Sequence, residues 1–289
     1  MQPVPLRTEV ISGVKPSRLR LLLYGPGKIG KTRLAATAPK PLFFDFDDGA
    51  GALTGVTRIR PQTMADFEGM CEQLKLDRGA GFETIVLDTV TFHQIALTEE
   101  ILKRLQSTRM GFDGWTMMKD FYIRCWRLLD SLPCHLILVA HVDVGQVDGR
   151  TVQEPAIQGK MNGILQGACD SIGYMTGVVR SDGKGPARYQ RCLRFRTEDG
   201  SFICGDRYDV WRRDQHGDIT ELSETMMAVA AGSPAETPAR PPRVHTKGTA
   251  APTPRETPAG VRTPRPTPRP KPAPPPPPPT PPSSGIEYE

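Results

Sequence analysis

No C-x-x-C pair occurs in this 289-residue chain, and its five histidines form no cluster. The six cysteines, Cys71, Cys125, Cys134, Cys169, Cys192 and Cys204, are scattered singly. That spacing gives no zinc set and no disulfide framework, so reduced, mostly buried thiols of a cytoplasmic protein are expected. The opening MQPVPLRTEV lacks the apolar core of a signal peptide. No apolar run approaches the ~20 residues that span a bilayer, so no membrane partner is expected. Charge of one sign is also missing from most of the chain. The net charge is +5, but from Ser233 onward eight Lys or Arg stand against four Asp or Glu. The first 232 residues therefore carry 29 basic and 28 acidic groups. Any electrostatic pull on nucleic acid rests in the tail or in local patches.

Three segments follow from composition. Residues 1–18 read as a short leader and residues 19–232 as one folded domain. Residues 233–289 hold twenty of the thirty prolines, with TPR at 253, 263 and 267 and six prolines from Pro274 to Pro279. Such a segment cannot bury a core and reads as a disordered basic tail of polyproline II character. Its GIEYE tip differs from the rest, and weak docking by it is one reading.

Within the domain, short apolar runs alternate with helical stretches. RLRLLLYG, PLFFDFDD, FETIVLDTV and CHLILVAHVDV read as strands, KTRLAATA opens a helix, and His93 to about Leu132 is a long helical region. Fully apolar strands between helices predict a buried, mostly parallel sheet of the α/β class. SIGYMTGVVRS, ARYQRCLRFRT and GSFICGDRY, joined by turn signals, predict antiparallel additions at its edge.

GPGKIGKT fits the phosphate-loop pattern G-x-x-x-x-G-K-[ST] between a strand and a helix. The segment from Gly25 through Pro26, Gly27, Lys28, Ile29, Gly30, Lys31 and Thr32 to Arg33 is the expected nucleotide cradle. Its N–H groups would point at phosphate oxygens, and Lys31 would reach the β and γ phosphates. The Thr32 hydroxyl is a hard ligand for Mg²⁺. Asp88 ends the apolar run of TIVLDTV, which sets it at the sheet edge beside the loop as a second Mg²⁺ ligand. Asp45, Asp47 and Asp48 crowd the end of the second strand, where their repulsion demands a cation or a polar network. Strand alternation puts Asp45 and Asp47 on one face and Asp48 on the other, and one of them can accept a hydrogen bond from an attacking water. His141 ends LILVAHV and could touch the γ phosphate. A satisfied strand-end histidine is the competing reading.

The order of these motifs resembles the RecA-type ATPase core. More narrowly it resembles the phage RecA-like ATP-binding proteins of the single-strand annealing type. LLLYGPGKIGKTRLA, PLFFDFDDGAG, TIVLDTVTF, LILVAHVD and EPAIQGKMNGILQGACDSIGYM carry the resemblance, over about residues 17 to 210. It implies ATP and Mg²⁺ as cofactors and an ATPase with Lys31, Asp47, Asp88 and His141 in catalysis. The catalytic carboxylate falls on Asp47, where RecA-type proteins usually have Glu, so turnover could be slow. His141 falls where RecA has glutamine and the phage group tends to have histidine. Two segments match DNA-contacting loops: residues 142–165, with Arg150 and Lys160, and TRMGFDGWTMMKDFYIR, with Arg109, Trp115 and Lys119. A core position is the competing reading of Trp115. The resemblance further implies single-stranded DNA as partner and a homo-oligomer, ring or filament, with a single-strand DNA-binding protein as a further partner. The neighbour's active site would be completed by Arg194, Arg196 or Arg207, among which the sequence does not choose. It places the protein in the bacterial host cytoplasm.

The expected activity is therefore Mg-ATP-dependent DNA recombination by strand binding and annealing. One alternative is a loading module that ATP switches without turnover. Another is a different RecA-core motor of phage DNA replication, although no second motor domain is visible.

Overall fold

The computed structural model describes residues 18–180, 188–211 and 219–230. The expected leader, the Pro-rich tail with its GIEYE tip and the SDGKG turn fall outside these residues, save Arg18 at the leader's end.

The strands are β1 (Arg20–Gly25), β2 (Pro41–Asp45), β3 (Thr57–Ile59), β4 (Thr84–Asp88), β5 (His135–Val147), β6 (Arg150–Pro155), β7 (Ser171–Arg180), β8 (Arg188–Arg194) and β9 (Gly205–Asp206). The helices are α1 (Lys31–Ala35), α2 (Met64–Leu76), α3 (Val90–Arg104), α4 (Phe112–Asp130), α5 (Lys160–Ala168) and α6 (Ile219–Ala230). The sheet runs β3-β2-β4-β5-β1-β7-β8, with β6 on β5 and β9 on β7. The six strands from β3 to β7 are parallel to their neighbours, and β6, β8 and β9 pair antiparallel. This is the α/β class expected, with a mostly parallel sheet.

Both faces of the sheet are covered, which explains why β4 is buried at every position. Leu22, Tyr24, Phe44 and Leu87 pack against α2, α3, α4 and α5, while Leu21, Leu23, Phe43 and Val86 pack toward α1 and α6. Tyr24 adds a polar anchor to its apolar body, its hydroxyl donating to the Gln153 carbonyl at 3.1 Å. The cysteines are all free and, except the half-buried Cys204, buried. No helix among the described residues is long and apolar enough to cross a membrane.

Four expectations change. Residues 171–174 pair parallel with β1, a crossover through α5 delivering them in that direction, while 174–180 pair antiparallel with β8 as expected. The helix expected from Lys31 to Ala38 stops at Ala35. Pro39 disfavours helical backbone at Ala38, and the Thr37 hydroxyl donates to the Leu34 carbonyl at 2.7 Å. The long helical region divides at residues 105–111 into α3 and α4. Residues 142–165 are largely regular structure, the β5–β6 hairpin followed by the start of α5. Asp148 at φ 51° and Gly149 at φ 74° form its two-residue turn, a type I′ signature legible as Asp-Gly.

Candidate functional site

The parallel strands end together, and the polar side chains gather there. Gly25 closes β1 beside His141 on β5, Asp88 closes β4 beside Val139, and Asp45 closes β2 beside Asp88. The loop from Gly25 to Thr32 curls over this edge. A β-carbon on Gly25 would lie 2.3 Å from the Met175 carbonyl oxygen, so no side chain fits there. Gly30 has φ 105°, a conformation L side chains rarely adopt. Pro26, Gly27 and Lys28 face solvent, while Ile29 is buried in the core beneath and pins the loop. Arg33 on α1 is exposed. With only five residues, α1 adds little dipole of its own, so the cradle is made by the loop's N–H groups.

Lys31 is 5% exposed, and its ammonium donates to the Gly25 and Pro26 carbonyls, each at 2.9 Å. Burial pulls its pKa below the usual lysine range, partly offset by the facing carboxylates of Asp88 and Asp47. Asp88 is fully buried. Neither of its oxygens accepts a hydrogen bond from the described residues. Burial pushes its pKa up to about 6; the Thr32 hydroxyl beside it opposes the shift without completing a hydrogen bond. A buried carboxylate with both oxygens unused, next to a hydroxyl and a phosphate loop, suits a hard divalent cation. Thr32 and Asp88 thus fit Mg²⁺ held with a nucleotide's phosphates. Such an ion would supply charge neutralisation at the phosphoryl oxygens.

β2 ends at Asp45, so the turn after it, not strand alternation, places Asp47 and Asp48. Asp48 takes φ 64° and starts a short 3₁₀ turn at Gly49–Ala52. Asp47 Oδ1 accepts the Gly49 N–H at 3.1 Å. Its Oδ2 stands 3.9 Å from His141 Nε2, beyond hydrogen-bond reach. Proximity to His141 is nevertheless the first cause holding the Asp47 carboxyl below its ordinary range. A β-carbon on Gly49 would lie 3.0 Å from Asp47 Oδ1 and 3.7 Å from Thr32 Oγ1, so both oxygens converge on this glycine. The His141 backbone N–H donates to the Thr91 hydroxyl at 3.0 Å, tying β5 to the first turn of α3.

The cation that the three crowded carboxylates demanded is Arg58 on β3, a residue that sequence reasoning missed. Its Nη1 donates to Asp45 Oδ2 at 2.7 Å and to Asp48 Oδ1 as well, and Arg60 adds a 3.3 Å pair to Asp48. Nothing in local spacing announces this, because β3 is a three-residue edge strand brought to β2 by the sheet. The other missed residue is His93, buried on α3 and stacked on Phe46 with ring centroids 4.1 Å apart. Burial drops its pKa to about 3.

The DNA candidates divide. Trp115 is half-buried on α4, and its ring lies against Gly159, next to exposed Lys160 at the start of α5. Arg109 is exposed before α4, and Lys119 pairs with Asp120 at 3.3 Å. Arg150 sits apart at the hairpin turn, on a hairpin that also carries Asp143, Asp148 and Glu154. Of the three late arginines, Arg194 lies over the Phe202 ring at 4.9 Å. Arg196 is held by the Trp211 carbonyl and Asp209. Arg207 bonds Asp170 at 3.0 Å, at the opposite end of the sheet from the loop.

Comparison with known proteins narrows the identity of this arrangement. A curated relative, the SPbeta prophage-derived uncharacterized protein YorG of Bacillus subtilis (strain 168), is 26% identical over 117 residues, 39% of this chain and 36% of the relative. The match thus spans about a third of that relative's length. Among solved structures, the chain resembles one ATPase domain with 10% identity and a TM-score of 0.34, over 61% of this chain and 81% of that one. It resembles the RadB recombinase with 16% identity and a TM-score of 0.35, over 66% and 91%. The model of an AAA domain family, AAA_24, matches residues 17–208, which include the phosphate loop, Asp47, Asp88 and His141. With two thirds of its length matched, the chain belongs to this AAA domain family.

Proposed function

We propose that this protein binds Mg-ATP, hydrolyses it, and uses the cycle to bind single-stranded DNA and promote annealing or strand pairing as a RecA-like recombination ATPase. The observation that carries the hydrolytic part is the convergence of five side chains at one sheet edge. Lys31 and Thr32 lie on the loop side, Asp88 supplies an unpartnered carboxylate, and Asp47 faces His141 across 3.9 Å. A phosphoryl oxygen or an attacking water between the last two could bond both. Asp47 then orients water, His141 reads the terminal phosphate, and Lys31 with the metal offsets the developing charge.

The DNA part is supported by Trp115, whose ring lies against Gly159, one residue before the exposed Lys160. The prophage origin of the relative supports a phage setting. In such a setting the protein would work in the host cytoplasm as a homo-oligomer, beside a single-strand DNA-binding protein.

The test is ATP turnover with and without single-stranded oligonucleotide, alongside strand annealing, for wild type, Lys31→Ala and Asp47→Ala. The proposal expects DNA-stimulated turnover in wild type, loss of ATP binding in the first variant and loss of turnover alone in the second. Turnover indifferent to DNA, with no oligonucleotide shift at low salt, would sink the recombination reading. The second reading is an ATP-switched loading module. It is favoured by the tether of Asp47 to Gly49, which leaves a short side chain to reach a water. It expects Lys31→Ala to weaken assembly while intact protein shows negligible turnover.

A further inference from the structure

The edge strand β8 brings another arginine to the phosphate loop. Arg191 pairs with Gly177, two residues beyond Met175 on β7, and it is Met175 whose carbonyl abuts Gly25. Alternation along β8 puts Arg191 on the face of Leu193. Leu193 is buried in the cluster that holds Leu21, Leu23, Ile29 and Ala35, the α1 side of the sheet. Arg191 therefore continues this apolar face past its end, where the loop begins. A β-carbon built on Gly30 would lie 2.9 Å from Arg191 Nη1 and 3.6 Å from Cζ. The guanidinium rests against the loop one residue before Lys31.

Its flank is informative. Asp47 follows β2, Asp88 ends β4 and His141 lies on β5, all on one side of β1; β7 and β8 lie on the other. If the reacting γ phosphoryl faces the first group, the opposite flank is left for the part of the nucleotide that is not transferred. A guanidinium offers five fixed donors that match phosphate oxygens in a fork. We propose that Arg191 is a phosphate-binding residue supplied in cis, gripping the non-transferred phosphates of a bound nucleotide. The proposal rests on the loop being a nucleotide site.

A grip on non-transferred phosphates is uniform binding. It strengthens the ground state and the transition state alike, so it sets affinity and not turnover. The experiment measures ATP and ADP dissociation constants and kcat for full-length wild type, Arg191→Ala and Arg191→Lys. The expected result is a loss of about 10- to 100-fold in affinity for both nucleotides in Arg191→Ala. The expectation includes kcat within about twofold of wild type. Arg191→Lys should recover part of the loss. Unchanged affinities, or a fall in kcat with affinities intact, would overturn the assignment. An ATP loss much larger than the ADP loss would overturn it too, by placing the contact on the γ phosphate. Wild type that bound neither nucleotide would bring down the nucleotide-site reading and this proposal together. Silence of the Arg191 variants alone would bring down only the proposal.

Discussion

His141 Nε2, within β5, faces Asp47 Oδ2, in the turn after β2, at 3.9 Å across the edge where β1 and β4 end. The two residues are 94 positions apart in sequence, and the parallel register of β2, β4 and β5 together with the turn after β2 brings them together. The gap is too wide for a hydrogen bond and wide enough for an oxygen to serve both.

This pair gives the first prediction. Asp47→Asn should lower turnover by roughly 100-fold while leaving ATP affinity near wild type, as removal of a group that acts only on the water would. His141→Asn removes the first cause of the lowered Asp47 pKa, so that pKa should rise. Asp47 must be ionised to accept a proton. The acid limb of the pH–kcat profile should therefore move to higher pH in this variant. An acid limb that stays in place would show that Asp47 does not control it.

Asp88 makes the second. Its folded pKa of about 6 lies above the ordinary 3.8. A raised acid is favourable to folding below its unfolded value, and that advantage disappears as pH rises through about 6. At pH 7 to 8 the bare carboxylate therefore costs the nucleotide-free protein up to about 3 kcal/mol. Asp88→Asn should raise Tm there by a few degrees, by roughly 2–6 °C, with the gain vanishing near pH 4. The same variant should lose stabilisation by Mg-ATP. Thermal scans with and without Mg-ATP check both signs, and a lower Tm without ligand would contradict the first.

Arg58 links Asp45 and Asp48 on either side of Asp47. Arg58→Ala should release the 45–52 turn and leave a buried carboxylate without its partner. Turnover should fall roughly tenfold through misplacement of Asp47, with ATP affinity changed far less. The double variant Arg58→Ala with Asp48→Ala should not fall further, since the two act on one turn. An additive loss, measured in kcat, would separate them.

His93 supplies a test of the core beside the site. Its folded pKa, near 3, is below the ordinary 6.5. The unfolded chain binds a proton that the folded one refuses, so stability is lost as pH falls below about 6.5. At pH 5 this loss is about 2 kcal/mol. His93→Phe keeps an aromatic against Phe46 and removes the titration. Its stability relative to wild type should rise by that amount between pH 7 and pH 5 in denaturant unfolding. A constant difference would rule the effect out.

Much of the site was legible in one dimension. The phosphate loop and Asp88 each end a run of apolar residues that sheet burial requires, so local pattern alone placed them at strand ends; His141 ends such a run too, but β5 continues past it to Val147. The helix α2 could also have been read from Thr63 and Asp66, which form its capping box. What local pattern could not supply was order across the sheet. It read residues 171–180 as antiparallel throughout and missed the parallel pairing of 171–174 with β1, because alternation reports how a strand is buried and not which neighbours it joins. It also fixed on Arg194, Arg196 and Arg207 from their place on late strands. Three-dimensional pairing sends Arg207 to Asp170 and sets Arg191 against Gly30. By itself the sequence determined the α/β class and the loop chemistry, since both depend on residues close together in the chain. Only the tertiary structure decided that Arg58 neutralises the Asp45–Asp48 cluster and that Asp47 meets His141. Those relations depend on the lateral register of strands, which hydrogen bonding fixes between segments far apart in sequence.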